Sequence, residues 1–141
     1  MKKNIKTILI DKINKSAWWH VNPQDVDAYK KRGKFLASTY AQAEFYGRPN
    51  DVSEKVSITN PIYGCSEIEI LKNLFPKNYK KLFYTVRGDV GNYSSRIDLD
   101  AKMFNKAKRM GYDAIVLLGN NGIKYLLRNR KPPSVELNLC K

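Results

Sequence analysis

The stretch SAWWHVNPQDVDAYKKRGKFLAS, residues 16–38, decides the fold because it holds two strand signals with a helix signal between them. Aromatic and β-branched residues predict a strand over 17–21. The Asn-Pro pair at 22–23 is typical of a helix N-cap and first helical position, and the predicted helix ends at the glycine that precedes the second strand. We expect that helix to turn Val26 and Tyr29 inward. Residues 35–37 predict the second, short strand.

The segments outside this stretch continue the mixture of helix and strand signals. Capping residues followed by apolar residues at helical spacing predict helices over 39–47, 66–75 and 99–110. Alternating or continuous apolar residues predict strands over 55–59, 113–118, 123–127 and 134–139. The turn GNNG is expected to join two of these strands as a hairpin, and the last strand reads as an edge strand. Residues 5–10 fit a strand or a helix, and 77–97 fit a long loop or a loop with a strand at 82–86.

Charge is the outlying feature of the composition. The 141 residues include 26 Lys+Arg against 13 Asp+Glu, a formal net charge of +13. This charge attracts nucleic acid or an acidic protein surface, although it also serves solubility alone. No apolar run approaches the ~20 residues of a membrane span, and Cys65 and Cys140 fit no metal-binding spacing. We therefore expect reduced thiols, a cytoplasmic location (the host cytoplasm for a viral protein), a monomer and no membrane partner.

The single histidine, His20, directly follows two tryptophans. A histidine in such a setting is most often structural, with a ring nitrogen bonded to a backbone carbonyl, and one histidine excludes a His-rich metal site. The sequence holds no P-loop, no G-x-G-x-x-G fingerprint and no G-x-S-x-G elbow. We therefore predict no metal centre and no common phosphate cradle.

The order of the motifs nevertheless resembles the ADP-ribosyltransferase fold in its histidine-containing branch. The stretches that carry the likeness are, in chain order, WH at 19–20, GKFLA at 33–37, the segment 38–46, KVSITNPI at 55–62 and GYDAIV at 111–116. The last of these resembles a signature of small phage and bacterial members. The chain is accordingly expected to be a single α+β domain over 1–141, and the resemblance implies two small packed sheets, antiparallel or mixed, with flanking helices.

The resemblance also implies that NAD binds as a substrate. In the family the histidine holds a ribose hydroxyl of NAD, and the aromatic residue of the second motif stacks on the nicotinamide ring. These roles would fall on His20 and Phe35, since a phenylalanine presents the same ring face as a tyrosine. Tyr46 would line the other side of the ring, and Ser38 or Thr39 would bond the ribose or support the site.

The third motif of the family is a glutamate on a late strand, whose carboxylate stabilises the oxocarbenium-like transition state as nicotinamide leaves. The stretch IKYLL places Lys124 where this glutamate is expected, and a lysine has the wrong charge for that task. Glu136 in SVELNL is the alternative glutamate, and Asp89 or Asp113 are further candidate acids. We take Glu136, with His20, as the predicted catalytic residues.

Two principal hypotheses follow. In the first, the protein transfers ADP-ribose from NAD to a macromolecular target, protein or nucleic acid, with a looser likeness to phage proteins that modify a host or defence factor. In the second, the same scaffold is catalytically inactive, and the basic protein binds nucleic acid or an acidic protein partner. A structural component of a virion is a third alternative. A carboxylate that faces His20 across a cleft would favour the enzyme.

Overall fold

The structure, a computed structural model, describes residues 4–88 and 93–140 and, for Tyr93, the backbone alone. Its elements in chain order are α1 (Ile5–Lys15), β1 (Trp19–His20), α2 (Ala28–Arg32), β2 (Lys34–Ala37), α3 (Tyr40–Ala43), a 3-10 turn (Glu44–Tyr46), β3 (Pro61–Gly64), α4 (Glu67–Leu74), α5 (Tyr79–Gly88), α6 (Tyr93–Arg109), β4 (Ala114–Leu117), α7 (Gly122–Leu127) and β5 (Glu136–Leu139). This mixture of helices and strands confirms the predicted α+β class.

The described strands form one five-stranded sheet in the order β1-β2-β5-β4-β3. The strands β3 and β4 are parallel, and the other neighbouring pairs are antiparallel. The prediction of two small sheets is therefore wrong for the described residues. The reason lies in β5, which bonds to β2 along one side and to β4 along the other, so that it joins both halves into a single sheet.

The central position of β5 also overturns its prediction as an edge strand. That prediction came from the polar residues at alternate positions, which usually mark a solvent-exposed face. Glu136 is only half-buried, but Asn138 is 5 % exposed, and both point toward neighbouring helices rather than toward open solvent. Alternation identified the two faces of the strand correctly, but it did not show that both faces are covered.

Alternate residues of the sheet contribute to two separate hydrophobic cores. Leu36, Val116 and Leu137 pack against α1 and α7, and we call this side of the sheet the α1 face. Ile62 and Ile115 pack against α4 and α6 on the other side, the α6 face. Each buried aliphatic side chain of this kind contributes roughly 1.5–3 kcal/mol through removal from water. The sheet is thus covered by a layer of helices on each side.

Residues 123–127 form the helix α7 rather than the predicted strand of a hairpin. Asn121 adopts a left-handed conformation with φ of 64° just before the helix begins. Gly122 lies so close to Leu118 that an added Cβ would be 2.4 Å from the Leu118 Cβ, so the chain turns back too tightly for a second strand to pair. Burial of Leu126 against α1 then stabilises the helix.

The helix predicted from the Asn-Pro pair at 22–23 is shorter than expected, because it begins only at Ala28. The Asp25 carboxylate accepts a hydrogen bond from the backbone N–H of Asp27 at 3.0 Å, which closes a local turn in place of a first helical turn. Val26 is 77 % exposed, and the prediction that it points inward is wrong. Tyr29 is directed toward His20, with about a third of the residue exposed.

Residues 55–59 have the alternation predicted for a half-buried strand, but they form no strand in the structure and pair with none among the described residues. Val56 and Ile58 are buried as predicted. The Asn14 side chain, rather than a neighbouring strand, bonds the backbone of Ile58, with its amide donating to the carbonyl at 3.0 Å and its oxygen accepting from the N–H at 2.8 Å. A β-bridge of Trp18 with Glu54 precedes this segment.

Where the structure describes them, the two regions that the sequence left open are mainly helical. Residues 5–10 belong to α1, where the Asn4 side chain caps the helix and Leu9 and Ile13 are buried. Residues 79–88 form α5, because Leu82, Phe83 and Val86 lie on the helix face that packs against the core below the α6 face. Among the described residues, none of the helices is both long and apolar enough to cross a lipid bilayer.

Gly33 makes the junction between α2 and β2 possible. Its φ is 86°, and a Cβ at this position would lie 2.2 Å from Asn138 Oδ1 and 2.6 Å from the carbonyl oxygen of Leu139. No other residue type fits such a close approach. The Asn138 amide group donates to the carbonyl of Arg32 at 2.9 Å, so the same asparagine holds the end of α2 against β5.

Candidate functional site

The register of β2 against β5 decides which side chains share the candidate site. Ala37 lies opposite Glu136, and Phe35 lies opposite Asn138. Directly opposed residues of antiparallel strands project from the same face of a sheet. Phe35 and Glu136, far apart in the sequence, therefore both project from the α6 face. Phe35 is 44 % exposed, so its ring is open to a ligand.

A shallow pocket lies above these two strands. The sheet contributes Phe35, Glu136 and Asn138 to its walls, and the helices contribute Glu67 and Asp100. The pocket has a cavity volume of only about 50 Å³ and is open to solvent. Ligand sites typically measure roughly 300–1,000 Å³, so the pocket admits at most part of a ligand, and the rest would lie on the surface around it.

Tyr46 is bonded to Glu136, a residue of the pocket wall. Its hydroxyl donates a hydrogen bond to Glu136 Oε1 at 2.9 Å. The pKa of Tyr46 is raised well above its usual value, first by burial of the hydroxyl end and then by the negative charge of Glu136. The tyrosine therefore stays protonated and continues to donate to the carboxylate over the whole neutral range. The ring itself remains largely exposed.

Arg96 on α6 organises the other carboxylates at the pocket. Its Nη1 and Nη2 donate to the two oxygens of Glu67 at 2.9 and 2.8 Å, and its Nε donates to Asp100 Oδ1 at 3.0 Å. Burial raises the pKa of Asp100, and Arg96 offsets part of this effect. Burial by itself would lower the pKa of Arg96, but Glu67 and Asp100 outweigh it and raise the pKa.

The pocket is therefore acidic, although the whole chain carries a net charge of +13. Three carboxylates, those of Glu67, Asp100 and Glu136, border it, and Arg96 pairs with the first two. Arg32 is the further cation whose charge acts on Asp100. Aromatic rings beside excess negative charge favour a planar cation as ligand. Arg96, Glu67 and Asp100 were not among the predicted site residues. Arg96 and Asp100 have the i, i+4 spacing of a helical ion pair. The predicted boundary between loop and helix fell between them, so this signal was not used.

His20 is bonded through both ring nitrogens. Its Nδ1 lies 2.7 Å from the carbonyl oxygen of Phe35, and its Nε2 lies 2.8 Å from the hydroxyl of Tyr29. A carbonyl only accepts, so Nδ1 carries the proton, and in the neutral ring Nε2 accepts from Tyr29. His20 is 4 % exposed. These bonds are those expected of a structural histidine, and they also set Nε2 as an acceptor for a hydroxyl group.

His20 and Glu136 project from opposite faces of the sheet. His20 lies opposite Leu36, which lies opposite Leu137, so the histidine belongs to the row of the α1 face. The Glu136 carboxylate and the His20 imidazole therefore do not face each other across one cleft. The two residues are nevertheless only two strand spacings apart, or roughly 10 Å. The His20 side chain does not line the pocket. It is linked to the pocket only through its hydrogen bond to the backbone carbonyl of Phe35.

Ser38 supports the site through the backbone. Its Oγ accepts from the N–H of Val135 at 3.0 Å and donates to Gln42 Oε1 at 2.9 Å. Its own N–H donates to the carbonyl of Val135 at 3.0 Å. These bonds fix the residue that precedes Glu136, and they tie β5 to the segment that leads to Tyr46. The predicted residues Ser38, Tyr46 and Glu136 are thus held in one connected arrangement.

The other candidate acids lie elsewhere. The Asp113 carboxylate is engaged by the backbone N–H groups of Thr59 and Asn60, at 2.7 and 2.9 Å. Lys124 lies on α7, in the helix layer of the α1 face, so it does not occupy the glutamate position on a strand; that expectation is wrong because 123–127 is helical. Asp89 lies outside the described residues. Within the described ranges no group of three His, Cys, Asp or Glu residues could hold a metal ion.

Comparisons with known proteins provide no further assignment. A scan against protein-family models finds no match, and searches of curated proteins and of solved structures return no significant match.

Proposed function

We propose that the protein is an ADP-ribosyltransferase that transfers ADP-ribose from NAD to a macromolecular acceptor. One observation carries the proposal: Phe35 and Glu136 project from the same face of adjacent strands, and the Tyr46 hydroxyl holds the carboxylate at 2.9 Å. The three residues come from separate parts of the chain. They are the stacking aromatic, the lining aromatic and the acid that the motif resemblance implies.

The chemistry of the pocket fits the departure of nicotinamide. NAD carries a planar pyridinium cation, and an exposed ring beside excess carboxylate attracts such a cation. When the bond between C1′ of the ribose and the ring nitrogen breaks, its electron pair leaves with nicotinamide, and positive charge develops on the ribose. The preorganised carboxylate of Glu136 would stabilise that charge. The acceptor then donates a lone pair to C1′ and releases a proton.

Tyr46 and Arg96 would act as positioning residues for this step. The Tyr46 hydroxyl orients the carboxylate of Glu136 and, because its pKa is raised, does not compete with it as an anion. Arg96 holds Glu67 and Asp100 at the rim of the pocket. The carboxylate of Glu136 is thereby left to the ligand, since the described ion pairs of Arg96 go to its two neighbours.

His20 would contact the cofactor through Nε2. The N–H of Nδ1 donates to the Phe35 carbonyl, so Nε2 presents a lone pair that accepts a hydrogen bond from a hydroxyl group. Tyr29 supplies that hydroxyl in the structure, and a ribose hydroxyl of NAD would take its place. Because His20 and Glu136 project from opposite faces of the sheet, a dinucleotide would have to pass the edge strand β1 to reach both residues.

Calorimetry with NAD and a transfer assay with labelled NAD and cell lysate test the proposal. We expect Glu136→Gln to bind NAD within a few-fold of wild type and to lose transfer by about 100-fold or more, because it removes only the transition-state charge. Glu44→Gln is the matched control, since Glu44 is an exposed carboxylate in the same turn as Tyr46. Absence of NAD binding to the wild type, or equal transfer by the two variants, would overturn the proposal.

A second candidate is a basic binding protein without catalysis, favoured by the charge of +13. It predicts binding to a polyanion that weakens steeply with salt and is unchanged by Glu136→Gln. The same two assays separate it from the enzyme, because it predicts no heat on addition of NAD.

A further inference from the structure

Four exposed aromatic rings lie on β2 and on the segment that follows it, and two of them, Phe35 and Tyr46, line the acidic pocket or bond to its wall. Phe45 is 91 % exposed, Tyr46 is 67 % exposed, Phe35 is 44 % exposed and Tyr40 is 37 % exposed. All four belong to β2 or to the segment 40–46 that crosses the sheet next to it. Isolated exposed apolar residues are common on proteins, but several exposed rings on neighbouring elements indicate a binding surface.

The ring of Tyr40 and the start of its segment are held by the fold. The ring of Tyr40 meets Trp19 edge to face, with centroids 5.3 Å apart and planes at 83°. Trp19 lies opposite Ala37, so this pair stands on the same face as Glu136. The Thr39 hydroxyl caps the segment by accepting from the backbone N–H of Gln42. A surface fixed in this way loses little conformational entropy when a ligand binds.

The exposed rings of Tyr40 and Phe45 lie on a protein that has a large positive net charge. The net charge of +13 attracts a polyanion, and Arg48, directly after the segment, offsets the exposed carboxylate of Glu44 within it. The pocket itself carries excess carboxylate, so phosphate groups would lie outside it, while uncharged rings could approach it. Unpaired bases on a phosphate backbone have this combination of flat rings and negative charge. In a duplex the base faces are already stacked on one another, and an acidic peptide offers no series of flat rings.

We propose that the rings of Tyr40 and Phe45 form a stacking surface for single-stranded nucleic acid, which presents the acceptor group to the pocket. The acceptor role rests on the proposed transferase function, whereas the binding surface does not. In the transfer, a nucleophilic nitrogen or oxygen of a nucleotide bonds to C1′ of the ribose. The bond from C1′ to nicotinamide breaks, its electron pair leaves with nicotinamide, and the proton of the acceptor passes to water.

Fluorescence anisotropy with a labelled 12-nucleotide single strand of mixed sequence, without NAD, tests the binding surface. Stacking contributes about 1–3 kcal/mol per base, so Phe45→Ala should raise Kd by roughly 5–150-fold. Phe45→Trp should retain the affinity because it keeps a ring face. Tyr125→Ala, which removes an exposed ring from α7 in the helix layer of the α1 face, is the matched control and should leave Kd within twofold. Raising salt from about 50 to 200 mM should weaken binding at least about tenfold.

Three results would overturn the inference: a matched duplex that binds as tightly as the single strand, a Phe45→Ala variant that behaves like Tyr125→Ala, or polyglutamate that competes as well as the oligonucleotide. The last result would indicate an acidic protein partner. Calorimetry with NAD alone keeps the two proposals separate. A wild type that binds NAD but no oligonucleotide overturns this inference only, and one that binds the oligonucleotide but no NAD overturns the proposed function. If both bind, label from NAD should appear on the oligonucleotide.

Discussion

The substitution Tyr29→Phe tests whether NAD reaches the imidazole of His20. In the free protein the Tyr29 hydroxyl donates to Nε2 of His20 at 2.8 Å, and the histidine is 4 % exposed. A ribose hydroxyl cannot bond the same lone pair until this contact opens. The variant removes the hydroxyl and keeps the ring, which lies 5.6 Å from the imidazole. One substitution therefore removes both a stabilising bond and a competitor of the ligand.

The free energy of the lost hydrogen bond should lower the stability of the free protein and strengthen NAD binding by the same amount. An unpartnered acceptor in a buried site costs about 1–3 kcal/mol, and the partial exposure of Tyr29 places this case at the lower end, about 1–2 kcal/mol. The free energy of unfolding should fall by that amount. The NAD complex regains a partner for Nε2, so its Kd should fall by roughly 5–30-fold, at 1.4 kcal/mol per factor of ten.

Urea unfolding and calorimetry with NAD measure the two quantities on the same preparation. Tyr125→Phe is the control, because it removes the hydroxyl of a tyrosine on α7 and should change neither quantity. A Tyr29→Phe variant that loses stability and gains no affinity for NAD would refute the reasoning. In that case His20 holds the Phe35 backbone and does not contact the cofactor.

Two further predictions concern the fold. Gly33→Ala should lower the free energy of unfolding by at least about 2 kcal/mol in urea titrations, because the φ of Gly33 is 86° and the new Cβ would collide with Asn138. Gly88→Ala is the control: its new Cβ would have no heavy atom within 4 Å, so its free energy of unfolding should stay within about 0.5 kcal/mol of wild type. Burial, followed by the charge of Asp113, raises the pKa of the Cys140 thiol to about 12. A thiol reagent at pH 8 should therefore label half-buried Cys65 first and Cys140 only after unfolding, and equal native rates would contradict this assignment.

Local features of the sequence were sufficient for several elements. The Thr39 cap, the break at Gly33 and the apolar spacing before Gly111 each depend on residues a few positions apart, and the structure confirms them. Local features failed where a distant contact decided the outcome. The turn around Gly122 allows a hairpin or a helix, and burial of Leu126 against α1 decides for the helix.

The candidate site shows the same division. The sequence by itself determined which residue types were available: one histidine, an aromatic residue after a glycine, and a glutamate on a late alternating strand. Only the tertiary structure decided that Glu136 lies on a central strand and accepts a hydrogen bond from Tyr46, and that His20 faces the other side of the sheet. The physical reason is that strand pairing and register join segments far apart in the chain. Periodicity shows only which residues share a face, and it leaves the covering of that face undetermined.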